Sequence, residues 1–311
     1  MGEKIATREA YGKALVELGA QHDDLIVLDA DLSCSTKTNL FAAKYPERFY
    51  NLGVAEQNLI GWAAGIATCG KKPFASTFAV FATARAYDQV RNSIAFPNLN
   101  VKIAASHAGL SVGPDGASHQ AIEDMALMRI MPNFTVVVPA DGPQAAAATK
   151  ALYQHEGPAY LRLGRPKVED IISDQPFVLG RAQVLKPGRD AAIIACGTTV
   201  VEALRAAEQL ARDGISARVI NLHTVKPIDR EAVLSAAQET RALVTVEEHT
   251  VIGGLGSAVA EVLAEASAAV PFRRLGVQDV FGESGEPEEL FAKYGIDAAH
   301  VAAAIRQLLK T

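Results

Sequence analysis

Short runs of β-branched apolar residues alternate along the chain with longer segments whose apolar positions recur every three or four residues. The runs at 25–28, 74–77, 101–105, 135–138 and 159–163 predict strands. The segments at 7–19, 55–68, 82–94, 121–131 and 143–154 predict helices. Alternation of this kind builds βα units on a mostly parallel sheet, so the first half reads as one α/β domain. Between 165 and 190 the periodicity weakens, and Pro166, Pro176 and Pro187 punctuate a charged, irregular stretch that reads as a connection. A second set follows, with strands expected at 191–195, 217–221, 242–247 and 272–276 and helices starting near Val200, Asp229, Leu255 and Pro287. The expected fold is α/β with two doubly wound, mostly parallel-sheet domains, at 1–164 and 191–311, joined by a linker at 165–190.

Composition narrows the function more than the fold. The chain has 311 residues, 49% hydrophobic and 21% charged, which is globular and large enough to bury two cores. Its net charge of -5 provides no broad basic field for a nucleic-acid backbone, so any anion site must be local. No apolar run approaches the roughly 18 residues that span a bilayer, and the first residues lack the apolar core of a signal peptide. Cys34, Cys69 and Cys196 are odd in number and widely spaced, which argues for a reducing compartment and sets a cytoplasmic location as the expectation.

Two nucleotide-binding patterns nearly match and fail. Gly65, Gly70 and Lys71 have Walker A spacing, but Lys72 replaces the required Ser or Thr and the run ends a helix. Gly253, Gly254 and Gly256 open like a dinucleotide fingerprint, but Val259 stands where the last Gly belongs, so a tight strand-to-helix turn is expected there.

Three other stretches carry chemistry. The Gly-rich run from His107 to Gln120 sets His107, His119 and Asp115 in a loop just past a strand end, where ligand sites of open α/β sheets form. A surface loop with incidental polar residues is the bland alternative. A three-ligand zinc site is a further one, though these residues are spread through irregular chain instead of paired on one element. In the run Gly53 to Ala67, helical winding puts Glu56 on one face with Leu59, Ile60, Ala63 and Ala67. An acid aimed at an apolar surface loses its hydration, which raises its pKa toward the range useful for proton transfer unless a partner offsets the loss. The bland alternative is a first-turn carboxylate satisfied by the helix dipole and amides. Gly61, Ala63, Ala64 and Gly65 leave one side of the helix nearly bare. Phe78 and Phe81, three apart beyond a strand, fill core or wall a flat heterocycle.

Taken in order, these stretches resemble the C-terminal part of transketolases, thiamine diphosphate enzymes that move two-carbon ketol units between sugar phosphates. The resemblance spans essentially the whole chain: Ala6-Thr7-Arg8, Asp29 to Ser35, Gly53 to Glu56, the Phe78 segment, His107 to Gln120, and Pro139 to Gly142. It implies that Glu56 bonds N1′ of the cofactor's aminopyrimidine and promotes the tautomer that deprotonates thiazolium C2. It places Phe78, Phe81 and Asp31 with the cofactor and gives His107 and His119, with Asp115, the sugar's oxygens. Arg8, Ser35 and Arg165 fall where the family grips a terminal phosphate, with Arg162 competing for the place of Arg165.

One departure from the pattern is informative. The Gly-Asp-Gly and downstream Asn that hold magnesium and the diphosphate in transketolases do not occur in this sequence. The resemblance therefore implies half of a split enzyme. A separate N-terminal, diphosphate-binding subunit would hold Mg2+ (or Ca2+), in an α2β2 assembly active only when both chains meet. Ala84, near the position of a pocket tyrosine in many transketolases, is a second departure. The rival readings are 1-deoxyxylulose 5-phosphate synthase, the β subunit of a 2-oxo acid dehydrogenase and, from another class, a catalytically silent docking module. The second domain carries no assigned chemistry. Its His223 and Glu247-Glu248-His249 read as turn, cap and interface structure.

Overall fold

The computed structural model describes residues 4–172 and 176–310, so residues 173–175 of the expected linker and both chain ends lie outside the described residues. Seven strands form the first sheet, in the order Thr224–Lys226, Thr135–Val137, Ala159–Arg162, Lys102–Ser106, Lys72–Phe78, Leu25–Asp29 and Phe49–Asn51. Neighbours pair in parallel except at Thr224–Lys226, which runs antiparallel to Thr135–Val137. Strands Leu25–Asp29 and Lys102–Ser106 are buried at every position, which is why they show mostly apolar residues without a polar alternation. Helices Thr7–Gln21 and Gly142–Gln154 pack together on the face that holds Tyr11, Leu15 and Phe74, while Glu56–Thr68 lies on the other with Leu28, Ile60 and Ile103.

The second sheet has the order Phe272–Val277, Leu243–Thr250, Ala191–Ala195, Ala217–Asn221 and Gln183–Lys186, parallel except for the last, which is an antiparallel edge. Helices Thr199–Arg212, Arg230–Glu239, Leu255–Glu265, Pro287–Lys293 and Ala298–Leu308 complete it. Two parallel-dominated α/β units are thus present as expected. The glycines at 253–256 make the expected turn, and the backbone N–H groups of Leu255 and Gly256 donate to the buried Glu247 carboxylate, which closes the helix start.

Three features differ from the expectation. The segment 82–94 is not one regular helix: wide, π-type turns at Phe81–Arg85 and Val90–Ala95 flank a single α turn, Tyr87–Gln89. The Thr83 hydroxyl donates to the Ala79 carbonyl (2.8 Å), taking an acceptor that the backbone ladder otherwise uses, and apolar spacing carries no trace of such a shift. Within 165–190, Lys167–Val168 pairs with Ile5–Ala6 and Gln183–Lys186 joins the second sheet, because short edge strands need only a few pairing residues. Finally, Thr224–Lys226 follows a second-domain strand yet extends the first sheet, so the two units share a hydrogen-bonded ladder.

A buried charge cluster reinforces that junction. Arg162, 4% exposed, donates from Nε and Nη2 to the two carboxylate oxygens of Asp124 (2.8 and 3.1 Å), and the Tyr160 hydroxyl donates to the same carboxylate (2.7 Å). His249 of the second domain accepts from the backbone N–H of Ala126, at the start of helix Asp124–Ile130 (3.3 Å). The cap-and-interface reading of the Glu247 to His249 run is the one the structure carries. Removing Asp124 leaves the buried Arg162 guanidinium with backbone carbonyls and the more distant Glu248 carboxylate as its partners. Asp124→Ala is expected to lower the unfolding free energy by roughly 3–5 kcal/mol in urea titrations, and a loss under about 1 kcal/mol would contradict the pairing.

Candidate active site

The carboxyl ends of the parallel strands bring the singled-out residues together. Lys72–Phe78 ends at Phe78, Lys102–Ser106 runs into His107, and Ala159–Arg162 leads to Arg165. Glu56 opens the helix Glu56–Thr68, and Arg8 lies in the first turn of Thr7–Gln21.

Glu56 is 1% exposed, and its face of the helix buries Leu59, Ile60 and Ala63 as the spacing requires. Sequence reasoning missed its partner. Arg85 Nη1 donates to both carboxylate oxygens (2.9 and 2.8 Å), and the same guanidinium lies over the Phe81 ring, 4.6 Å from its centroid. The Arg85 side chain is half exposed, so the acid is buried against the core on one side and covered by a solvent-facing group on the other. A cation four residues after Phe81 in an otherwise apolar stretch was the available signal. Gly61 and Gly65 face open space, consistent with a bare side; Ala63 and Ala64 instead turn into the core.

Phe78 and Phe81 lie nearly parallel, with ring centroids 5.8 Å apart and planes at 13°. On its other neighbour Phe78 stacks against His107 at 3.7 Å, and His119 stands edge-on to Phe81 at 5.7 Å. Two imidazoles and two phenyl rings therefore form one flat-walled cluster. His107 holds its backbone at φ 57°, a strained value for a residue with a side chain, so its ring direction is fixed by the loop around it.

The polar corner adjoins this wall. Arg8 Nη1 approaches His107 Nε2 at 3.4 Å. Guanidinium can only donate, so Nε2 accepts and the ring proton sits on Nδ1, facing Ser106 Oγ at 2.9 Å. Burial, then the charges of Arg8 and Arg165, push the His107 imidazole down to about 3, so it is neutral. Arg8 also donates to the Ser35 carbonyl (2.8 Å), Arg165 donates to the Val112 carbonyl (2.7 Å), and the Arg8 Nε–H is buried without a partner among the described residues. Burial first and the charge of Arg165 second lower the affinity of Arg8 for its proton, the mark of two cations sharing a confined space. Ser35 is held there because the buried Asp29 carboxylate accepts from Leu32 N–H and from the Thr36 and Thr38 hydroxyls, fixing the loop between.

Asp115 is exposed at the end of the turn Leu110–Asp115, and its charge is felt at Arg8; His119 is half-buried, with Nδ1 against Ser118 Oγ. Asp31 is not drawn into this group: it is exposed, and its carboxylate accepts from Asn51 Nδ2 (3.0 Å). Arg162, the competitor of Arg165, is committed to Asp124 inside the domain junction. Among the described residues no three His, Cys, Asp or Glu side chains converge as metal ligands.

An acid behind a planar donor group, a stacked aromatic wall and a two-arginine corner coincide with the sequence's relationships. Residues 3–170 match the transketolase pyrimidine-binding domain and residues 180–301 the transketolase C-terminal domain. A "Putative transketolase C-terminal section" from Methanocaldococcus jannaschii is 47% identical, covering 97% of this chain and 96% of that protein. A "6-deoxy-6-sulfo-D-fructose transketolase subunit SqwH" from Clostridium sp. (strain MSTE9) is 44% identical over 97% of this chain and 94% of its own length. A solved structure titled "Split gene transketolase, inactive beta4 tetramer" superposes with a TM-score of 0.92 at 57% identity, covering 98% of this chain and 99% of that one. The chain therefore belongs to the transketolase family, as a C-terminal section made of the pyrimidine-binding domain followed by the transketolase C-terminal domain.

Proposed function

We propose that this chain is one subunit of a cytoplasmic two-polypeptide transketolase and transfers two-carbon ketol units between sugar phosphates once joined to a diphosphate-binding subunit. The observation that carries this reading is the Arg85 guanidinium, a flat group of nitrogen donors laid on Phe81 and bonded to the buried Glu56 carboxylate. A pocket that holds one planar nitrogen group this way fits an aminopyrimidine ring, with Arg85 moving aside. Thiamine diphosphate supplies, when bound, the nucleophilic carbon that this chain lacks.

Glu56 holds the proton shared with the pyrimidine nitrogen, and Phe78 and Phe81 wall the ring. Neutral His107 and the half-buried His119 exchange hydrogen bonds with the sugar's carbonyl and hydroxyl oxygens, and Asp115 selects the configuration of the C2 hydroxyl. Arg8, with its unused Nε–H, Arg165 and Ser35 take the terminal phosphate, which two crowded guanidiniums are suited to receive. The diphosphate and its Mg2+ are the partner's charge in an α2β2 assembly. Exposed Tyr50, Val54 and Trp62 beside the Glu56 helix offer that partner an apolar surface. The relative named as an inactive tetramer of β chains supports the view that such a half folds without turning over.

Two experiments follow. This chain, mixed with a diphosphate-binding transketolase subunit, thiamine diphosphate and Mg2+, is expected to convert xylulose 5-phosphate and ribose 5-phosphate, while either chain alone is silent. Turnover of pyruvate with glyceraldehyde 3-phosphate instead, or none with either pair, would overturn the assignment. The second concerns His107. Its folded value of about 3 lies below the ordinary 6.5, so below pH 6.5 the unfolded chain binds a proton the folded chain refuses, and its contribution to stability falls steadily as pH drops from 6.5 toward 3. Imidazole NMR resonances of His107 should stay those of a neutral ring at pH 5, and a titration midpoint near 6.5 would contradict the geometry.

A further inference from the structure

Among the second domain's contacts to the substrate loop, one is a buried charge. Glu248, in strand Leu243–Thr250, is 3% exposed and accepts from the Ser111 backbone N–H at 2.8 Å through Oε2. Its other oxygen, Oε1, accepts from the Thr198 hydroxyl at 2.5 Å and faces Arg162 Nη1 at 3.9 Å. A single carboxylate thus ties the Gly-rich loop of one domain to a strand and a helix-leading turn of the other, with Arg162 balancing its charge. The fit is close: Gly109 has φ 79°, and a Cβ there would lie 2.4 Å from Glu248 Oε2, so the loop backbone rests directly on this carboxylate. Three more contacts fix the same loop. Val112 O accepts from Arg165, Gln120 Nε2 donates to the Glu283 carbonyl at 2.9 Å, and Gly116 abuts Ser284. Of these anchors, Glu248 is the one whose acceptor is a buried charge, and buried acceptors of backbone N–H groups are costly to lose.

We propose that Glu248 is a positioning residue for ketol transfer: by holding Ser111 N–H it sets the height of the loop that carries Asp115 and His119 over the sugar phosphate. This rests on the reading given under Proposed function, and it gives the C-terminal domain a part in substrate binding. Glu248 touches no reacting atom. Its influence passes through the loop backbone, so it acts on the sugar phosphate and not on thiamine diphosphate, whose contacts lie with Glu56, Phe78 and Phe81.

The test uses the assembled two-subunit complex with two variants. Glu248→Gln replaces one acceptor oxygen by a donor, and Thr198→Val removes the hydroxyl that orients the carboxylate without touching the loop. In both, KM for the phosphorylated ketose is expected to rise, by about tenfold in Glu248→Gln and about threefold in Thr198→Val, with kcat changed less than about threefold. Thiamine diphosphate affinity, measured by calorimetric titration, is expected to stay within about twofold. A role in stability alone would lower the active fraction, and with it kcat, at an unchanged KM. If Glu248→Gln fails to assemble, Thr198→Val decides. An unchanged KM in whichever variant assembles overturns the proposal. A wild-type complex without ketol transfer would instead overturn the underlying reading and not this residue's role in ordering the loop, which loop amide exchange in the variants reports independently.

Discussion

A carboxylate withdrawn from water at the start of a helix sets the terms for the whole candidate site. Burying Glu56 among Leu59, Ile60 and Ala63 is costly unless a donor meets it, and Arg85 does so with a planar group that also covers Phe81. The parallel sheet makes this possible. Its parallel strands deliver their carboxyl ends to one edge, so residues from well-separated stretches of sequence meet there, and the acid at the helix start is closed by the Arg85 guanidinium that lies over Phe81.

The second constraint is the buried charge at the domain junction. Arg162, Asp124 and Glu248 are enclosed together, and each satisfies a neighbour that would otherwise be orphaned. Such clusters add little net stability, but removing one member leaves the others exposed to a low-dielectric interior. Burial raises the Glu248 carboxyl above its ordinary value while Arg162, Thr198 and Ser111 oppose that rise, which marks the cost of placing an acid there. The shared ladder at Thr224–Lys226 and this cluster join the two α/β units, and Glu248 carries that junction to the loop from His107 to Gln120.

Much of this was legible in the sequence because it rests on local pattern. The five strands read from the sequence in the first sheet are short, mostly apolar runs, and the face shared by Glu56, Leu59 and Ile60 follows from helical spacing alone. The gathering of His107 and His119 with Phe78 and Phe81 followed from their positions past strand ends. What stayed hidden depends on three-dimensional context. Wide π-type turns leave no mark in apolar spacing, and Arg85, which meets Glu56, sits at the end of the first of them, where the Thr83 hydroxyl also takes the Ala79 carbonyl. Thr224–Lys226 belongs to a sheet built from much earlier residues, and the pairing of exposed Asp31 with Asn51, twenty residues on, has no local signal. The choice between Arg162 and Arg165 turned on three residues of spacing at a strand end, where one side chain points into the junction and the other toward Arg8.

The central claim is that Glu56 activates a cofactor gripped elsewhere. Its most direct test is the rate at which the thiazolium C2 proton of thiamine diphosphate exchanges with deuterium in the two-subunit complex, followed by quenched-flow NMR. Glu56→Gln is expected to slow that exchange by about a hundredfold or more with the cofactor still bound. Exchange at the wild-type rate in that variant, with the cofactor equally occupied, would contradict the account.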